Sequence, residues 1–409
     1  MLLSIILFLV FIYSLYPKRT ALADLEQILN YSKFNDSQAE LSVQNGFLPD
    51  PRALSLQLTH PPNQQWVQFA MDTKSMTMEE FQERLIALPP PDLCAEQGLR
   101  RLTLAAFLTV VLQTFKVSFP ESLVGPENLR QSICEMEELI GHDAHCDLVF
   151  ISITSILLAD CHQPISINNV EYHGNIVIGA DQAVQQQAGI FFRSIAMGLV
   201  ESGPLMIKGV MQIVRGIVSD SRTIVQEGLE SVSDAINALH NHFMVFAKEV
   251  DPVAWDVVAR ATAGHSGRKL GISGFQHPVV HLLDALFSRS SYESRVGKAS
   301  LQACATLHQR HRRFINAVAA FRPTLQEFHS SHAGDNALNK AFTKCLRSYH
   351  QFLLKHANTA KKVLNGTNQA YQSNDGFRGT TGGIVNSSES PGDQAELELK
   401  KAERERPYR

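Results

Sequence analysis

The chain has no excess of either charge. Its 37 Lys and Arg against 40 Asp and Glu leave a formal charge of -3, with a pI near 6.6, so the basic footprint of a nucleic-acid-binding protein is missing. There is no C-x-x-C pair. The six cysteines (Cys94, Cys134, Cys146, Cys161, Cys304 and Cys345) are dispersed, and Cys345 falls on a helix face directed at the core. That pattern reads as reduced thiols rather than a disulfide scaffold. Two glycine-bearing loops, Gly264–Gly274 and Gly379–Gly383, lack phosphate-loop and dinucleotide spacing. Glycine there lets backbone approach a ligand, or lets a lid move. No Ser/His/Asp or paired-carboxylate constellation stands out.

What is present is core. Hydrophobic residues make up 44% of the chain and charged residues 19%, the balance of a globular protein, and 409 residues suggest two domains. Met1 to Pro17 is apolar apart from serines and tyrosines, and Lys18-Arg19 follows. Sixteen helical residues reach only about 24 Å, short of the ~30 Å hydrocarbon core. Two readings stand. An uncleaved anchor at residues 1–17, with its positive charge on the C-terminal side, puts the body in the cytoplasm. A cleaved signal peptide, with Ala21-Leu22-Ala23 as its site, puts the protein in the secretory lumen or outside the cell, and the sequons at Asn30, Asn35, Asn365 and Asn386 fit that alternative.

The expected class is all-α. After the hydrophobic segment (1–20) comes a smaller, mainly helical domain (21–180). A large helical domain with a glycine-rich lid loop follows (181–384), then a charged tail (385–409) with too few hydrophobes to pack. In the small domain, helical patterns cover Met78–Leu88, Leu99–Phe115 and Glu127–Ile140, while Asp147–Leu158 fits helix or strand. In the large domain they cover Gln182–Val200, Leu205–Val218, Arg222–Val250, Pro252–Ala263, Pro278–Phe287, Lys298–Phe321 and Ala337–Leu364. Asp251-Pro252 is a start signal, with Pro at the first helical position.

The stretch Asn339–His356 organises this domain. Its apolar residues Phe342, Cys345, Leu346, Tyr349, Phe352 and Leu353 have amphipathic-helix spacing. His350 lies beside that stripe, one turn after Leu346 and one before Leu354, so its imidazole is expected to point inward. A buried neutral imidazole must place a donor and an acceptor. A haem iron is one taker of its lone pair; hydrogen bonding to a neighbouring hydroxyl or carbonyl is the other reading. Two further groupings could hold metal. His277 and His281 are four apart but lack the glutamate of a zinc-protease helix, and His142, His145, Cys146, Cys161 and His162 lack finger spacing.

Six segments, taken in order, resemble the indoleamine 2,3-dioxygenase family of haem enzymes, with departures expected of a divergent, fungal-type member. Phe191-Phe192 and the apolar helix after it are similar to the helix over the distal haem face. Asp251-Pro-Val-Ala-Trp-Asp-Val-Val-Ala-Arg260 resembles the distal helix, in which an aromatic and an arginine five apart face the substrate. Gly271-Ile-Ser-Gly-Phe-Gln276 followed by Leu283-Asp284 is similar to the loop whose serine contacts haem. His311-Arg312-Arg313-Phe314 resembles the His-Arg-x-Phe segment, and Arg347-Ser-Tyr-His350 the proximal-ligand helix. Thr380-Thr-Gly-Gly383 is similar to the flexible loop that closes the pocket. Asn45-Gly-Phe-Leu-Pro-Asp50 is similar to the opening motif, and Asp147–Leu158 would line the substrate pocket.

The resemblance implies haem b with His350 as the iron ligand, and Arg347 three residues earlier pairing a propionate. Ser273 would bond a propionate or dioxygen, and Phe191 would lie over the haem. Arg260 would hold the substrate carboxylate through two parallel donors, with Trp255 and Phe150 as aromatic walls and Thr381 and Gly382 in the closing loop. The implied reaction opens the indole ring of L-tryptophan with dioxygen to give N-formylkynurenine, a step of the kynurenine pathway and NAD biosynthesis, and needs an electron donor to keep haem ferrous. Trp255 stands where most relatives carry phenylalanine. Ile272 and Phe275 replace small residues, His277-Pro278 replace serines, and Ile195 occupies a position often held by serine. Those changes leave two alternatives: a haem protein of this fold that binds or senses dioxygen without efficient catalysis, and a haem-free, membrane-anchored interaction protein.

Overall fold

The computed structural model describes residues 18–29, 41–51, 54, 56–118, 126–140, 148–157, 165–169, 178, 180–262, 276–287, 303–305 and 307–371. About 81% of the described chain is helical and it contains no strand; a lone antiparallel bridge joins Ser42 to Gly46. The all-α class holds. The helices are α1 (18–29), α2 (Pro61–Asp72), α3 (Met78–Ala87), α4 (Gly98–Ser118), α5 (Glu127–Ile140), α6 (Leu148–Leu157), α7 (Gln182–Val218), α8 (Arg222–Glu249), α9 (Pro252–Thr262), α10 (Pro278–Phe287), α11 (Gln309–Ser331) and α12 (Asn336–Tyr371).

The spine is the antiparallel pair α7–α8. Val225 and Gly228 on α8 face Gly216 and Gly209 on α7, and a Cβ on Gly228 would stand 2.7 Å from the Gly209 carbonyl oxygen. Only hydrogen at both positions lets the backbones come this close. The turn between the helices is tight. Ser221 N–H donates to Gly216 O at 2.7 Å, and Asp220 takes φ 51°, a left-handed conformation that aspartate tolerates better than most residues. α12 runs alongside α8 in the same direction, through Ser233 and Ser348 (3.3 Å between hydroxyls) and His240 against Phe352. α9 touches α7 and α12, α10 packs on α11, and α6 lies between α4 and α7. One continuous apolar cluster runs from Leu25 to Phe352, so packing crosses the expected division near residue 180.

Several elements depart from the periodicity reading. The two helices expected across 182–218 are one. Pro204 removes a single N–H from the ladder, while Gly46, at φ 65°, packs its backbone against Gly203 and Pro204. Asp147–Leu158, left open between helix and strand, is the helix Leu148–Leu157. α1 and α2 had no strong stripe to announce them. Arg310, buried on α11, donates to the carbonyls of Ile28 and Leu29 at the C-terminal end of α1 and to Leu41, a favourable site for a cation. α11 itself starts later and ends later than Lys298–Phe321, with His308 as its N-cap.

Two helices are long and apolar enough to cross a membrane, Gly98–Phe115 within α4 and Gln182–Val218, and both are mostly buried inside the fold. In α4 the buried hydroxyls of Thr103, Thr109 and Thr114 donate to carbonyls one turn back, which satisfies them without water. Residues 1–17 and 385–409 lie outside the described residues. Cys94, Cys304 and Cys345 are free thiols. Burial pushes the Cys304 thiol up to about 11 and raises Cys345 as well.

Candidate aromatic and imidazole site

At the start of α7 and α9 the structure brings two of the sequence-identified residues together. The rings of Phe191 and Trp255 lie 4.6 Å apart at 50°. Phe246 of α8 packs on both, at 5.6 and 5.0 Å. Phe243 continues the series to Phe352 and His356 on α12, at 6.0 and 5.3 Å. Phe246 meets both rings edge-on, as Phe243 meets Phe352, an arrangement aromatic rings prefer. Phe191 and Trp255 are only partly buried.

The pair is positioned by the helix ends. The Asp251 carboxylate accepts from the N–H groups of Val253 and Ala254 (2.8 and 2.9 Å) and so caps α9. The backbone N–H of Asp251 in turn donates to Oε1 of Gln187 on α7 at 2.8 Å. Gln187 and Asp251 each sit four residues before a member of the aromatic pair. α9 also carries Arg260, whose side chain lies outside the described part.

His350 corrects an expectation. It was expected to face inward and is exposed on α12. The buried seam runs through Leu338, Ala341, Phe342, Cys345, Tyr349, Phe352 and Val363, and one residue beyond Tyr349 is a rotation of about 100°. Leu346 and Leu353 are half-buried and Leu354 is 44% exposed; these leucines mark the edge of the seam, not its centre. Among the described residues His350 makes no hydrogen bond, ion pair or ring contact. Its neighbours are anchored: Ser348 pairs with Ser233, and the Tyr349 hydroxyl donates to Asp284 on α10. Arg347 is exposed, one turn before His350.

The remaining sequence-identified positions separate into four groups. Phe150 is fully buried in α6, within the main apolar cluster. Ser273, Thr381 and Gly382 lie outside the described residues, as do both glycine loops and the grouping of His142, His145, Cys146, Cys161 and His162. His311 and Phe314 are buried on α11, His311 edge-on to Phe47 at 5.1 Å, whereas Arg313 is exposed. His277 and His281 are both buried, one turn apart at the start of α10. Burial, with the neighbouring His281, pushes the His277 imidazole down to about 3, and neither of its ring nitrogens has a hydrogen-bond partner among the described residues. No group of three His, Cys, Asp or Glu that could hold a metal ion occurs among the described residues.

Sequence reasoning missed Gln187 and His356. Gln187 could have been noticed as a polar residue interrupting the stripe Val184, Ala188, Phe191. His356 sits two seam positions after Tyr349 and half-buried beside Phe243, where burial holds its imidazole below the usual histidine range. No protein-family model matches this chain, and no curated protein matches its sequence.

Proposed function

We propose that the protein is a haem-dependent dioxygenase that opens the indole ring of L-tryptophan to N-formylkynurenine, tethered to a membrane by residues 1–17. The observation that carries this reading is His350: an accessible imidazole with no protein partner among the described residues, beside Leu346, Leu353 and Leu354. A lone-pair donor next to an apolar strip suits a porphyrin, whose iron takes one nitrogen and whose face is apolar. Haem b, when bound, would supply the dioxygen chemistry.

The chain's own residues bind and orient. Anchoring of Ser348 and Tyr349 on either side of α12 limits rotation of the segment that presents His350. Arg347, one turn away, would pair with a propionate. The partly exposed pair Phe191 and Trp255 would give an indole an apolar surface, and Arg260, carried on the same short helix as Trp255, would supply the carboxylate partner. One observation favours a second reading, dioxygen binding without ring opening. Rings 4.6 Å apart leave no gap for an indole between them, so a substrate must lie against the pair from one side.

The test is the spectrum of the full-length protein supplied with haemin, followed by product formation with tryptophan, dioxygen and a reductant. A Soret band with N-formylkynurenine is expected, and the band without product would select the second reading. His350→Ala is expected to abolish stoichiometric haem while leaving thermal unfolding of the haem-free protein unchanged, because exposed substitutions move stability by only about 0.5 kcal/mol. Full haem retention in that variant, or a colourless wild type, would overturn the proposal. Carbonate extraction of the full chain from membranes tests the tether, which release into the soluble fraction would exclude.

A further inference from the structure

We infer that Gln187 is a positioning residue for the aromatic wall of the site. It acts through Asp251 and rests on the reading of Phe191 and Trp255 as the surface that receives an indole. Gln187 is 2% exposed. Its Oε1 accepts from the Asp251 backbone N–H at 2.8 Å. A backbone N–H only donates, so that bond fixes which end of the amide is oxygen. Nε2 is then buried without a hydrogen-bond partner among the described residues.

An unpaired buried amide N–H is costly, and an apolar side chain would fill the same space without that cost. What the amide provides in return is a hydrogen bond that joins α7 to the residue capping α9. Position i+4 lies over position i on a helix. The bond between Gln187 and Asp251 therefore sits one turn below the contact between Phe191 and Trp255 on both helices at once. It sets the register of α9 against α7, and with it the approach of the two rings and the start point from which Arg260 is reached.

The chain contains two tryptophans. Trp66 is fully buried and donates to Pro89 O at 2.8 Å, so in a Trp66→Phe background the emission comes from Trp255 alone. Gln187→Met keeps length and shape but removes the acceptor; Gln187→Glu keeps an acceptor oxygen at the first turn of α9, where negative charge is favoured. The full-length holoprotein is compared in both forms, by Trp255 emission and iodide quenching without substrate, and by KM and kcat with tryptophan. Gln187→Met is expected to red-shift and expose Trp255 and to raise KM about tenfold, the loss of one hydrogen bond's worth of alignment, with kcat within twofold. Gln187→Glu is expected to restore both. Unchanged emission in Gln187→Met, or changed emission with unchanged KM, overturns the inference while turnover by the wild type leaves the dioxygenase reading standing. A wild type without turnover sinks that reading and the substrate role of Gln187 together.

Discussion

Glu96 offers the sharpest test of how the N-terminal helices are held. Its carboxylate is fully buried. It accepts from the Thr59 N–H at 3.0 Å, the His60 N–H at 2.9 Å, the Thr59 hydroxyl at 2.9 Å and Asn63 Nδ2 at 3.4 Å. α2 begins Pro61-Pro62, and His60 gives it no side-chain cap. Glu96 thus caps the entry to α2 from 36 residues downstream. Truncation leaves two backbone donors and a hydroxyl facing a void. Breaking a buried charged network of this kind costs about 3–5 kcal/mol, so Glu96→Ala should lower Tm by roughly 6–10 °C at ~2 °C per kcal/mol for a large chain.

Glu96→Gln keeps one acceptor oxygen and should lose about 1.5–3 kcal/mol. Burial pushes the Glu96 carboxyl up, but the bonds from His60, Thr59 and Asn63 together bring it below the usual glutamate range. A folded-state value below the unfolded one means stability that is fully present above the unfolded pKa and lost as pH falls through the folded value. The Tm gap between wild type and Glu96→Gln should therefore be constant from pH 7 to 5 and shrink below pH 4. A gap that persists undiminished to pH 3 would refute the charged-cap account.

His277 gives the opposite kind of pH dependence. Its imidazole stays neutral down to about 3 when folded but titrates near 6.5 unfolded, so the unfolded chain binds one more proton between those values and stability should fall by up to ~1.4 kcal/mol per pH unit below 6.5. His277→Phe should flatten that slope in urea titrations at pH 5 and 7, and an unchanged slope would mean the ring is reached by water. At the α7–α8 crossing, Gly228→Ala would place a methyl 2.7 Å from Gly209 O and 2.8 Å from Ile213 backbone N. Overpacking there should outweigh the gain in helix propensity and cost about 1–2 kcal/mol in thermal unfolding, whereas Gly334→Ala, with nothing within 4 Å, should be neutral.

Much of the helical architecture was legible in the chain, because apolar spacing reports which face of a helix leaves water whatever it packs against. Glu127–Ile140, Pro278–Phe287 and the start at Pro252 follow from pattern and proline placement alone. The inward face of α12 was legible too, but not its edge: Leu346 and Leu353 belong to the apolar set in sequence and are only half-buried in space, and that difference turns His350 outward. Periodicity fixes a face to within about one residue, or 100°; which residues at its margins are covered depends on the neighbouring helices. The same holds for α7, whose Gly-Pro pair reads as a break until Gly46 packs against it. The pairing of Phe191 with Trp255, the Gln187 bond to Asp251 and the Glu96 cap join residues 36 to 64 positions apart. Local propensity carries no information about such contacts, and only the packed helices bring them together.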